Sequence, residues 1–294
     1  MQRDPGRRPS RSVLAWIKRE VRRFAGSRAH LRKGYRLSFA GTQLSFPVGG
    51  PVTEVSVVAF RDRRRFSAWV FEQRAFVVDE LILGGHYLSE VRRLRRQLVA
   101  RATDGRFYMV DGGANVGLAT MFISAALPVA VRSAGFEPFE ENRVLCEHNW
   151  RRAGHVVRPE ALSDADSECV PLYLRSTTGA TIVPTEPNTK GVPRFSVATA
   201  RLDSVWPQLG FPRLDLLKLD VEGAEEAALS GAAATIARDR PFILSSYEHS
   251  GNSVARAVAI ISSISASYAV RDDRSRRTLT FAPTDGLDSP GAST

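Results

Sequence analysis

Downstream of Gly105 the chain alternates short apolar runs with stretches whose apolar positions recur at helical spacing. That alternation predicts a parallel sheet with crossover helices. Strands are predicted at Phe107–Val110, Val131–Phe136, Val156–Pro159, Leu214–Leu219 and Phe242–Ser246, with helices at Gly117–Leu127, Glu141–Ala153, Ala224–Arg238 and Ser253–Ser265. Tyr268–Arg271 and Thr278–Phe281 flank the polar Asp272–Arg277 and read as an antiparallel hairpin closing the sheet. Residues 170–200 interrupt the pattern before the fourth strand. Alternation in Val170–Leu174 and Phe195–Ala198 predicts a hairpin there instead of another crossover.

The first hundred residues have a different texture. Val13, Leu14, Ile17, Val21 and Phe24 recur at helical spacing with Arg11, Lys18, Arg22 and Arg23 on the other side, which makes residues 1–34 a basic amphipathic leader. Its apolar stretch is too short for a secretory h-region. Short strands are predicted at Tyr35–Phe39, Gln43–Phe46 and Glu54–Phe60, broken by Phe46-Pro47 and Gly49-Gly50-Pro51. A helix follows over Leu88–Ala102, with Leu88, Val91, Leu94, Leu98 and Val99 on one stripe and Arg92, Arg93, Arg95 and Arg96 on its wet side. The segmentation is therefore leader 1–34, a small β/α extension 35–104, a main α/β domain 105–284 and a tail 285–294.

Composition narrows the classes. The chain has 294 residues, 43% hydrophobic and 24% charged. No apolar run approaches the roughly 20 residues of a spanning helix. Cys146 and Cys169 have neither metal-ligand spacing nor the numbers for a disulfide framework, so the expectation is a metal-free protein of a reducing cytoplasm. The net charge of +10 lies in the leader: residues 1–36 hold 12 Lys and Arg against 2 Asp and Glu, and the remainder has 29 of each sign. The leader's functional reading is contact with an anionic membrane from the inner face; its structural reading is a cap or tail.

Three stretches carry the chemistry. Phe107-Tyr-Met-Val-Asp-Gly-Gly-Ala-Asn-Val-Gly117 runs from strand through glycine turn to helix. Ligands bind beyond the carboxyl ends of strands in such sheets. The order Asp111, Gly112, Gly113, Ala114, Asn115 is not the G-x-G-x-x-G of a pyrophosphate site, and a leading acid facing the ligand suits a cation or ammonium group better than a phosphate. The bland alternative is a glycine turn kept for packing. Glu137 ends the second strand in Gly135-Phe-Glu-Pro138, where a carboxylate can accept both hydroxyls of a ribose. In Asp215-Leu-Leu-Lys-Leu-Asp-Val-Glu222-Gly-Ala-Glu-Glu226, Asp220 and Glu222 stand two apart and so face one way along an extended backbone. Helix N-terminal acids account for Glu225 and Glu226, but not for Lys218 and Asp220 within an apolar strand.

Together these motifs resemble the FkbM family of S-adenosylmethionine-dependent methyltransferases, through Val110–Gly117, Phe136–Pro138 and Lys218–Glu225 in order and separation. Ala161-Leu-Ser163, Leu202-Asp203, Gly231 and Pro241 also follow the family pattern, and the resemblance covers about residues 105–250. It implies a seven-stranded, Rossmann-like class I methyltransferase sheet over 105–284, binding S-adenosylmethionine. Asp111, Gly112, Gly113 and Asn115 would lie near the methionine moiety, Glu137 on the ribose, Ala161 beside the adenine and Asp220 near the donor.

The activity this implies is methyl transfer, with inversion at carbon, to a hydroxyl of a small-molecule, glycan or lipid-linked acceptor. The hydroxyl proton needs a base, for which Glu222 and His249 lead, with Asp220 and His86 behind them. RNA methylation is the alternative raised by the basic leader. Against nucleic acid stands the acid pair at the fourth strand, where base-amine enzymes of this fold carry an Asn-Pro-Pro-Tyr-like segment. A nicotinamide-dependent oxidoreductase is disfavoured by the glycine spacing. A module that binds the cofactor without turnover is the non-enzymatic alternative.

Overall fold

In a computed structural model of the protein, the described residues are 35–46, 50–59, 65–71, 86–151, 153–174, 179–184, 194–247 and 251–284. The expectations for the leader, the tail and His249 lie outside them. The chain forms two compact units, Met1–Leu83 and Gly84–Thr294.

The first unit holds β1 (Tyr35–Phe46), β2 (Gly50–Ala59) and β3 (Arg65–Phe71) in one antiparallel sheet of that order. The two short strands predicted at its start are one strand, with its register shifting between Phe39 and Leu44. The strand β3 went unpredicted, and on it Ala68, Val70 and Phe71 are buried.

The second unit begins with α1 (His86–Arg93) and α2 (Arg95–Arg101), the predicted single helix divided at Leu94. Then follow β4 (Arg106–Gly112), α3 (Leu118–Ala126), β5 (Ala130–Phe136), α4 (Glu140–Trp150), β6 (Val156–Arg158), β7 (Ala161–Leu162), β8 (Ser167–Leu174), β9 (Ala180–Thr181) and β10 (Arg194–Ala200). The chain continues through α5 (Leu202–Leu209), β11 (Leu216–Leu219), α6 (Glu225–Ser230), α7 (Ala233–Asp239), β12 (Phe242–Ser246), α8 (Gly251–Ile264), β13 (Tyr268–Asp273) and β14 (Thr278–Pro283).

Seven strands form the main sheet in the order β13-β14-β12-β11-β4-β5-β6. The five from β12 to β6 are parallel, and β14 joins antiparallel as the predicted closing hairpin. This is the expected α/β architecture. After β4 the chain lays strands outward to β6, then returns to the other flank of β4 with β11. The carboxyl ends of β4 and β11 therefore flank a topological switch point.

Both faces of the sheet are buried at its inner strands β4, β11, β12 and β14, which explains their near-continuous apolar runs. Phe107, Met109, Leu216 and Leu244 pack under α1, α2 and α3 with Tyr87, Val91, Leu98 and Ile123. Tyr108, Val110, Leu217 and Ile243 face the other way, against Val205, Trp206, Leu229, Ile236 and Ile261 of α5 to α8.

The insertion is the predicted hairpin, since β8 and β10 pair antiparallel, but it belongs to a second sheet of order β7-β10-β8-β9. An interlock ties it to the helical layer. Asp203 at the start of α5 accepts from the amides of Ala234 (2.9 Å) and Thr235 (2.8 Å), capping α7. Its own amide donates to the Gly231 carbonyl at 3.0 Å. A Cβ on Gly231 would lie 1.9 Å from the carbonyl oxygen of Ser163, so only glycine lets the helical turn meet the backbone at the end of β7.

Gly231→Ala is expected to destabilise by at least about 2 kcal/mol, because the clash is with backbone. Asp203→Ala, which removes the cap, should cost about 1 kcal/mol. Urea unfolding compares them, and a near-neutral Gly231 variant would contradict the interlock.

Candidate active site

At the switch point the turn from β4 to α3 and the turn from β11 to α6 meet. The register of these parallel strands sets Lys218 directly opposite Asp111. Both side chains are buried, and the Lys218 Nζ lies 2.8 Å from Asp111 Oδ1. The ammonium also donates to the carbonyls of Gly112 (3.2 Å) and Gly113 (2.9 Å) and sits 5.5 Å from the centroid of the Tyr87 ring. Thr120 Oγ1 donates to the second Asp111 oxygen at 2.7 Å. Burial alone would lower the Lys218 pKa; the Asp111 and Asp220 carboxylates outweigh it and hold the amine protonated.

The sequence expectation that Asp111 faces the ligand is thereby corrected. Its carboxylate points beneath the glycine turn to the lysine, and Asp111 is not among the residues lining the cleft. Gly112 is the last residue of β4, its carbonyl shared between Lys218 and the Asp220 amide. Gly113 takes φ +69°, and a Cβ there would meet the Asp220 carbonyl at 1.9 Å. That close approach brings the two turns together.

Above the pair opens a cleft enclosing about 500 Å³, part of it open to solvent. Gly113 and Asn115 line it from the β4 turn, Glu137 and Pro138 from the end of β5, and Asp220, Val221 and Glu222 from the β11 turn. Ala161 and Leu162 of β7, with Leu172, Ala180 and Ile182 of the second sheet, supply an apolar wall. Of the sequence-predicted residues, Gly113, Asn115, Glu137, Ala161, Asp220 and Glu222 thus share one cavity. His86 stands at the first position of α1.

Glu137 is buried, and both of its oxygens accept hydrogen bonds. Its Oε2 accepts from the Asn115 amide at 2.8 Å, while Oε1 accepts from the Phe139 amide at 3.0 Å and from Asn142 Nδ2 at 3.4 Å. Burial pushes its carboxyl up to about 7, against the lowering influence of those bonds and of Lys218. Glu225, which begins α6, accepts from the amides of Val221 and Gly223, both at 3.0 Å, and so fixes the β11 turn. Burial pushes Glu225 up to about 7 as well, with Asp220 adding to the rise. Ser246 Oγ, at the end of β12, donates to Asp220 Oδ1 at 2.7 Å.

The strand-alternation argument for Asp220 and Glu222 is also corrected. The strand stops at Leu219, and Glu222 takes a left-handed φ of +55° followed by Gly223 at +103°. Both acids reach the cleft through a turn, not through pleat periodicity. The strained glutamate backbone costs of order 1 kcal/mol and sits at the cleft itself.

The sequence reading missed Asn142, Leu172, Ala180, Ile182 and the structural role of Lys218. Only Lys218 carried a visible signal, a lone charge in an apolar strand.

Among the described residues no cluster of His, Cys, Asp and Glu could hold a metal ion, and no helix is long and apolar enough to cross a membrane. The family profile of the methyltransferase FkbM domain matches residues 111–268. The chain is similar to the crystal structure of Methyltransferase FkbM from Methylobacillus flagellatus KT, with 19% identity and a TM-score of 0.45, over 60% of this chain and 44% of that one. It thus spans less than half the length of that relative. It is also similar to Aeropyrum pernix fibrillarin in complex with S-adenosyl-L-methionine (12% identity, 84% of this chain, 99% of that one, TM-score 0.39). A third likeness is to an O-methyltransferase from Bacillus cereus in complex with SAH (12%, 66% and 80%, TM-score 0.36). No curated protein matches significantly.

A carboxyl whose folded pKa is raised contributes stability that is present below its ordinary range near 4.5 and is lost as pH rises through about 7. Glu225→Gln has no such loss. Its stability relative to the parent should therefore climb between pH 5 and 8, by up to about 3 kcal/mol. Thermal or urea unfolding across that range checks the slope, and a pH-independent difference would contradict it.

Proposed function

The chain belongs to the FkbM methyltransferase family, and from that premise we propose that it transfers the methyl group of S-adenosylmethionine to a hydroxyl of a small-molecule or glycan-like acceptor. The observation that carries this reading is a single cleft at the switch point with Glu137 on one side and Asp220 and Glu222 on the other. Its mixture of apolar wall and few polar groups suits a small organic ligand such as a nucleoside.

The donor set fits that cofactor. Glu137, at the tip of β5, is placed to accept the ribose hydroxyls, and Ala161, Leu162, Leu172 and Ile182 offer an apolar wall for the adenine. Gly113 and Asn115 border the position for the methionine part. Asp220, held by Ser246, presents a negative charge to a sulfonium. When bound, the cofactor supplies an activated methyl group on a positively charged sulfur.

The protein's work is then alignment and proton removal. Glu222, on the β11 turn at the cleft, would take the hydroxyl proton while bound S-adenosylmethionine would supply the methyl group to the acceptor oxygen and leave as S-adenosylhomocysteine. No lysine or arginine lines the cleft among the described residues, which favours a neutral acceptor over a phosphate-rich one. Small molecules, glycans and lipid-linked acceptors meet that description, with RNA as the second reading. The leader's contact with an anionic inner membrane face is a separate proposal, resting on its charge and apolar stripe.

Calorimetry should detect S-adenosylmethionine binding, and Glu137→Ala should weaken it by roughly 1–3 kcal/mol through lost hydroxyl partners. Glu222→Gln should keep donor affinity and lose about 100-fold or more in labelled-methyl transfer to acceptors in cell extract. Tight binding of NAD in place of S-adenosylmethionine would overturn the cofactor, and normal transfer by the Glu222 variant would remove its role as base.

A further inference from the structure

A lysine inside the central strand is an expensive choice. Removing an ammonium and a carboxylate from water costs several kcal/mol each, and a well-packed apolar pair is often as stable or more so. Lys218 is nonetheless 2% exposed, between Leu217 and Leu219, which are fully buried. Its ammonium forms an ion pair with Asp111 Oδ1 and donates to the Gly112 and Gly113 carbonyls.

Two of those acceptors belong to the turn that borders the cleft. The same turn is gripped from its other end, where the Asn115 amide donates to Glu137 Oε2 at 2.8 Å. Between them the Gly113 and Ala114 amides donate to the Phe136 carbonyl at 3.0 and 3.1 Å, one residue before Glu137. Four residues of backbone are therefore held with a cation on their carbonyls and an anion on their amide. The titratable groups gathered around this turn are Tyr87 from α1, Asp111 from β4, Glu137 from β5, the Cys146 thiol from α4, Lys218 from β11, and Asp220 and Glu225 beyond it. Lys218 is the cation among them.

We propose that Lys218 is a positioning residue for the cofactor: by clamping the Gly112 and Gly113 carbonyls it fixes the turn against Glu137, the group that receives the ribose. The inference rests on the reading of the cleft as an S-adenosylmethionine site. A merely structural Lys218 would serve only to neutralise Asp111, and removing both charges together would then leave cofactor binding alone. On our account the double removal spares the fold and damages the site.

The test is calorimetric affinity for S-adenosylmethionine between pH 5.5 and 9. In the parent protein affinity should rise with pH, about tenfold per unit below 7, and level off above it as Glu137 becomes fully ionised. Glu137→Gln should bind weakly and without that slope. Lys218→Met with Asp111→Leu, which leaves no unpaired charge, should keep or raise the melting temperature, lose at least tenfold in affinity at pH 8, and move the pH midpoint upward. Lys218→Gln with Asp111→Asn retains hydrogen-bonding groups without charge, and the same upward shift is expected should the apolar pair fail to fold. Parental affinity and midpoint in a folded double variant would overturn the inference while leaving the cofactor site intact. Absence of any S-adenosylmethionine binding by the parent protein would remove the reading beneath it.

Discussion

Across the two central strands a buried lysine faces a buried aspartate, and the geometry of the site follows from that pairing. Strand register puts Lys218 opposite Asp111, so the charge that β11 brings into the sheet is met by the charge that β4 ends on. The ammonium also donates to the Gly112 and Gly113 carbonyls, which draws the β4 turn toward β11. Gly113 then touches the Asp220 backbone so closely that no side chain fits between them. Removing one partner alone would strand a buried charge, at a cost of about 3–5 kcal/mol.

Around this pair the cleft is built in layers. Buried carboxylates at Glu137 and Glu225 hold the two turns by accepting amides that no strand satisfies. Asp220 and Glu222, partly exposed, carry the charge that faces the ligand space. The second sheet adds the apolar wall and is tied to the helical layer through Ser163, Gly231 and Asp203. These family-pattern residues thus act on packing, at a remove from the chemistry they help to position.

Much of this was legible in the sequence because it is local. Apolar runs bounded by glycine and proline gave β4, β5, β11 and β12 within a few residues, and the polar segment at Asp272–Arg277 marked the closing hairpin. Glu137 at a strand tip before proline and the acids after β11 pointed to the cleft they line. What failed depends on distant partners. In sequence Asp111 reads as facing a ligand because its counter-charge lies 107 positions away and meets it only through strand register. Asp220 and Glu222 share a cleft, but the backbone leaves the strand before them. The split of the helix after Glu222 into α6 and α7, and the short helix α5, left no clear periodic signal in six to eight residues. The apolar wall from Leu172 and Ile182 could not be assigned to the cleft until the second sheet was seen to fold over it.

The central claim is that the carboxylate-flanked cleft at the switch point is the cofactor site, held in shape by the buried pair beneath it. A crystal structure of the protein with S-adenosylhomocysteine tests it most directly. The account predicts the ribose on Glu137, the adenine against Ala161, Leu162 and Leu172, and the Lys218 ammonium still on Asp111, Gly112 and Gly113. A nucleoside bound elsewhere in the fold, or a Lys218 side chain released from the turn to contact the ligand, would contradict it.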